Sequence, residues 1–316
     1  MIFQKIIKSK WLKFGVTIVL IYFAFKKVDI VSIIRQLSRI NVLMLVFWLF
    51  ISFVSTILLA YRWSFLLIKT PKISDILIFS KSIWSASFYG LFVPTSVAGD
   101  IFKWIIIDDK YPDISKSKLG ASILLDRLVG MSMLVFFGFI SQFFASSMGI
   151  KIPILIRLAF WIVFVGCSFF YGLIFTGKGV LLFNNKWLKK VKIIGELVNV
   201  ENSKQILKCF GVSLISDFFW IWQMWMISSY FGANLSFVQI LIFLPVISTI
   251  LILPISIAGF GAREQLYLYF FVSQVTSPES ILLVSTMSGI IGILNSLWGG
   301  LISLTPEYRR KTAVSK

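Results

Sequence analysis

A few charged side chains interrupt stretches that are otherwise apolar. Asp126 and Arg127 stand side by side in the run 119–147. Arg263 and Glu264 follow Gly259-Phe260-Gly261-Ala262. Asp100 follows Gly99, with Lys103 three residues on. Lys81 and Asp217 stand alone in two further apolar segments. A guanidinium at a glycine-rich turn suits bidentate capture of a phosphate. Glycine and small residues at a helix start free backbone N–H groups that also favour an anion. Charges inside a membrane are costly and usually face an internal cavity. Adjacent helix residues do not face each other, so Asp126 and Arg127 are not a self-contained pair. Arg127 is read as a phosphate ligand and Asp126 as orienting a basic residue from a neighbouring helix. The competing reading is an ion-pair network that only locks helices. Asp100 is a helix cap or an ion-pair partner, and Lys103 a phosphate ligand or a snorkelling lysine. Glu264 is a cap or the partner of Arg263. Asp100, Asp126, Asp217, Glu264 and Lys81 are the candidates for ion pairing or proton coupling.

Other chemistry is excluded by composition. The chain has no histidine, which removes His acid–base catalysis, most zinc sites and haem ligation. Cys167 and Cys209 lie in or beside apolar segments and read as small apolar residues. Asp108-Asp109 with Asp113 reads as a solvated loop rather than a metal-holding set. No catalytic triad, phosphate-binding loop or dinucleotide fingerprint occurs. The expectation is a protein that is not an enzyme and uses no cofactor or metal.

The elements that must position these charges are membrane helices. Hydrophobic residues make up 58%, charged residues 14%, and mean hydropathy is +0.91. No long polar block interrupts the chain, so residues 1–316 form one integral membrane domain. The net charge of +18 lies beside apolar runs and fits anionic headgroups rather than nucleic acid. Apolar segments fall at about 12–27, 42–61, 76–93, 119–147, 153–175, 206–231, 237–257, 264–275 and 281–304. The first, second, fourth, fifth, sixth and last suit the roughly 20 residues of a full span. The aromatic run from Phe218 to Trp225 reads as lipid-facing or packing surface.

One string occurs twice. Pro94-Thr95-Ser96-Val97-Ala98-Gly99 has its counterpart in Pro254-Ile255-Ser256-Ile257-Ala258-Gly259. Each copy breaks an apolar stretch; of the arms beyond, Ile101–Ile107 is far too short to cross and Glu264–Phe271 is marginal. The expected architecture is all-α, with about six full spans plus two re-entrant helical hairpins in an inverted repeat. The halves are about 1–148 and 149–316. Each half then crosses three times, which forces the second to be inverted. Ser96, Gly99, Ser256, Gly259 and Gly261 join Arg127, Arg263 and Lys103 as the expected substrate-binding set. Both termini are expected in the cytoplasm, with Arg62–Lys72, Lys103–Lys118 and Lys178–Lys208 as basic inside segments. Lys26, Lys27, Arg35 and Arg39 strain this arrangement by landing outside.

These residues resemble a known family. Tyr89 to Asp100 followed by Lys103, the acidic–Arg pair Asp126-Arg127, and the string Pro254 to Glu264 together look like the flippase-like membrane part of bacterial lysylphosphatidylglycerol synthases, the multiple peptide resistance factors. The likeness covers about residues 40–304. Ala98-Gly99 stands where the family often has Gly-Gly, and Lys103 where it often has Arg. No aminoacyl-transferase domain follows residue 304, so a stand-alone member is expected. The resemblance implies movement of an anionic phospholipid or lipid-linked headgroup between leaflets by alternating access. Alternative readings are a membrane-embedded enzyme acting on lipid phosphates or polyprenyl-linked sugars, and an accessory subunit of an envelope-synthesis enzyme. Membrane lipids are the expected partners, with a homodimer allowed, in the cell (cytoplasmic) membrane.

Overall fold

The computed structural model of the protein describes residues 35–92, 98–176, 203–252, 259–272 and 277–303. The expected first span 12–27, Ser96, Ser256 and the tail after Pro306 lie outside the described residues. Among the described residues the structure is helical and contains no strand. In chain order the helices are α1 Val42–Leu67, α2 Ile73–Phe92, α3 Ala98–Lys110, α4 Lys116–Ala145, α5 Ile154–Phe175, α6 Ser203–Tyr230, α7 Phe237–Leu251, α8 Ala262–Tyr267 and α9 Pro278–Ser303. A π-helical turn, Leu268–Val272, continues α8.

Among the described residues, five helices are long and apolar enough to cross a membrane: α1, α4, α5, α6 and α9. They coincide with the second, fourth, fifth, sixth and last expected spans. The protein is a multi-pass membrane protein. Helix α5 shows the lipid-facing extreme, with Leu155, Ile162 and Phe169 all exposed. A bilayer solvates such a face as well as a protein core would. Helices α3, with 13 residues, and α8 are too short to span.

Starts and stops follow local chemistry. The Ser115 hydroxyl accepts from the Lys118 N–H at 3.3 Å and opens α4. Ser236 and Gln239 form a reciprocal capping box on α7. Gly259 and Gly261 adopt φ of 79° and 76°, a left-handed backbone that glycine enters at little cost. That geometry turns the chain into α8.

The helices group into two compact units that interleave along the sequence. One takes residues up to Val54, Ile83–Phe102 and those from Trp220 onward; the other takes Ser55–Ser82 and Lys103–Phe219. Within the first unit, helices approach closely over glycine. A Cβ on Gly99 would lie 3.2 Å from the Ala86 carbonyl oxygen, and one on Gly299 would overlap the Trp84 carbonyl. Tyr89 stacks on Phe102 with ring centroids 4.2 Å apart. Gln223 donates to the Trp48 carbonyl and to Ser52, tying α6 to α1. Within the second unit, Phe139 of α4 stacks on Phe164 of α5 at 4.0 Å. The Trp63 indole donates to Ser122 at 3.0 Å, joining α1 to α4. Tyr111 donates to Asp75 at 2.6 Å, joining the segment after α3 to the first turn of α2.

Candidate functional site

The second unit buries a charge cluster among α1, α4 and α6. Near the C-terminal end of α1, the Arg62 Nε donates to Asp126 Oδ1 at 2.7 Å. Its Nη1 donates to Ser213 of α6 at 3.0 Å. Arg62 and Asp126 are each only 6% exposed, so the pair has lost its water and depends on these bonds. The guanidinium lies against Gly130, one turn beyond Asp126, where a Cβ would come within 2.8 Å of Nη1. Asp217 lies one turn beyond Ser213 on α6 and is also buried. It is in electrostatic reach of Arg62 and Asp126. Its Oδ2 has no hydrogen-bond partner among the described residues. Two buried carboxylates therefore lie within the field of one guanidinium.

Arg62 corrects the expected boundary of this helix. The basic stretch Arg62–Lys72 was expected at the cytoplasmic surface, yet α1 continues to Leu67 and Arg62 is buried in it. The signal was present in the sequence. Trp63 to Ile68 is apolar but for one serine, so the span does not end at Arg62.

The first unit holds a second arginine–carboxylate pair. Arg263 and Glu264 open α8 directly after the left-handed Gly261. Glu264 Oε2 accepts the Gly261 N–H at 2.7 Å, while Oε1 accepts from Ser285 of α9 at 3.4 Å. Glu264 is thus cap and inter-helix tie at once. Arg263 Nε sits 3.7 Å from Glu264 Oε1, an ion-pair distance. Nε is buried and has no hydrogen-bond partner among the described residues. The guanidinium carbon stands 5.4 Å from the Phe260 ring centroid. Its Nη1 lies where a Cβ on Gly289 would be 2.8 Å away. Both pairs share one device: a planar guanidinium laid on a glycine of the neighbouring helix.

The remaining expected residues are placed as follows. Arg127, next to Asp126 on α4, is partly buried. Lys103 belongs to α3 and its Nζ lies 5.7 Å from the Trp63 ring centroid, a cation–π distance. Asp100 sits in the first turn of α3. Gly99 lies at the α2–α3 approach. Lys81 is exposed on α2. Phe218 and Trp225 of the aromatic run are exposed.

Asp126 is thus brought together with Arg62, Ser213 and Asp217, and Arg263 with Glu264, Ser285 and Gly289. No curated protein and no solved structure matches the chain. The family described as the lysylphosphatidylglycerol synthase TM region matches residues 10–299, nearly the whole sequence. That match ties the chain to a membrane-lipid-related function. By the extent of that match, and with glycine-backed charges inside its helices, the chain belongs to the family of lysylphosphatidylglycerol synthase transmembrane regions.

Proposed function

We propose that this protein moves an anionic phospholipid, or a lipid-linked headgroup, between bilayer leaflets by alternating access, and that it is not an enzyme. The observation that carries the reading is Arg263. Its cation is held at a glycine turn inside an apolar helix assembly, and its Nε–H finds no hydrogen-bond acceptor among the described residues. A phosphate brought into a membrane interior loses water at high cost, and a fixed guanidinium offsets that loss. Glu264 holds Arg263 at ion-pair distance while also capping its helix, so the charge is positioned before any substrate arrives. The membership in a lipid-synthase membrane family supports the substrate class. The short arms α3 and α8, beside the repeated Pro-x-Ser string, support the hairpin arrangement of the transport cycle. In this reading the protein sits in the cytoplasmic membrane with both termini inside.

The test is leaflet exchange of a headgroup-labelled phosphatidylglycerol in liposomes containing purified protein. Arg263→Ala should abolish exchange while the variant still elutes as folded protein, and Arg263→Lys should retain part of it. Arg127→Ala, in the other compact unit, should also abolish exchange. Normal exchange by Arg263→Ala would remove Arg263 from the site. A change in lipid composition, rather than in leaflet distribution, would replace the transporter reading with an enzymatic one.

A further inference from the structure

The second unit carries a groove, whose lining does not include the buried Arg62, between the C-terminal end of α1 and the N-terminal part of α6. Its volume is about 550 Å³, and it is open on one side. Tyr61 and Phe65, one helical turn apart on α1, form one wall. Lys208, Val212 and Ile215, spaced three to four residues apart on α6, form the other. Gly211 lies between them and leaves the floor bare: a Cβ there would meet nothing within 4 Å. Lys69 closes the end where α1 has just finished.

The register of the two helices decides what this groove fits. Lys208 Nζ lies 5.3 Å from the Phe65 ring centroid. Cys209 Sγ contacts the Arg62 carbonyl at 3.3 Å, and Ser213 bonds Arg62. Rising numbers on α6 thus meet falling numbers on α1, and the helices run antiparallel. Lys69 and Lys208 therefore share one end of the groove, and Tyr61, Val212 and Ile215 lie deeper. Among the described residues, no acidic one lines it. Leu207, Leu214 and Ile215 are exposed apolar residues on the same stretch of α6, so the groove opens among lipid-facing side chains.

From this juxtaposition of two ammonium groups at the mouth with an apolar, aromatic-walled trough running inward, we propose that the α1–α6 groove is a retention site for one anionic phospholipid, its phosphate between Lys69 and Lys208 and its acyl chain along Phe65, Val212 and Ile215. A free anion would leave the trough unfilled, and a zwitterionic lipid would set its own cation against the lysines. The site does not depend on the transport reading, because holding a lipid and moving one are separately measurable.

Native mass spectrometry of the purified full chain, with phosphatidylglycerol or phosphatidylcholine added, tests it. The wild type should retain phosphatidylglycerol preferentially. Lys69→Gln with Lys208→Gln should lose about fivefold in that preference per lysine, roughly 25-fold for the pair. Gly211→Leu fills the trough without touching the charges and should weaken both lipids alike. Equal retention of phosphatidylglycerol by all three proteins would overturn the site. Displacement of the lipid by millimolar inorganic phosphate would overturn the lipid as its occupant. Loss of retention with intact leaflet exchange would leave the groove standing as a site apart from transport. A wild type that retains the lipid but exchanges none would sink only the transport reading.

Discussion

Arg62 and Asp126 show what a buried charge demands of its neighbours. Each carries a desolvation cost that its partner offsets, and Ser213 adds a further bond to Arg62. Arg62→Met leaves Asp126 buried without its cation and should cost about 3–5 kcal/mol of folding stability. Arg62→Met combined with Asp126→Leu removes both charges and should recover most of that loss, read as unfolding in mixed detergent micelles. A double variant as unstable as the single one would show that the pair does not act as a unit. Asp126 was legible in the sequence because a carboxylate in an apolar run must find a cation on another helix. Arg62 was less legible: an arginine seven residues before Lys69 resembles the start of a basic interface, and the apolar run Trp63 to Ile68 is the one local sign that the span continues past it. Its contacts with Asp126, Gly130 and Ser213 are tertiary and leave no local sign. The second pair was more visible. Arg263 and Glu264 stand next to glycines whose left-handed backbone is a local requirement. The part played by Ser285 and Gly289, some twenty residues on, has no local signal.

At the scale of helices, hydropathy located five of the spans closely because a bilayer's thickness sets their length. How near two helices come was not readable, since it depends on which face meets which. Gly292 and Gly299 make the contrast on one helix. Both lie in α9 two turns apart, in similar surroundings of sequence. A Cβ on Gly292 meets nothing within 4 Å, whereas one on Gly299 overlaps the Trp84 backbone of α2. Backbone cannot swing aside as a side-chain tip can, so Gly299→Ala must push α9 from α2. It should destabilise the protein by at least about 1–3 kcal/mol. Gly292→Ala should be neutral or stabilising by about 0.5–1 kcal/mol, because alanine is the better helix former. Thermal unfolding of the two variants side by side checks both signs, and similar losses in both would argue against the close α2–α9 approach.

For the whole molecule, charge placement predicts which ends of the spans share a side. In a variant lacking Cys167 and Cys209, single cysteines at Ser147 and Asn234 should react with an impermeant maleimide added to intact cells. Cysteines at Lys116 and Lys204 should react only after the membrane is opened. Labelling of Ser147 and Asn234 on opposite sides would break the three-crossing count behind the inverted repeat. That repeat concerns the order of the sequence, whereas the compact units concern packing, and the two divide the chain differently. Helices α1, α2, α3 and α6 each lend residues to both units. It follows that no single cut yields an intact unit. A break between α5 and α6 strands Trp220 onward from the stretches before Val54 and from Ile83–Phe102, and strands the start of α6 from Arg62. The two fragments would be like halves of a zip: each keeps its teeth, and neither closes until the other is supplied, so they would have to be made together in the same membrane.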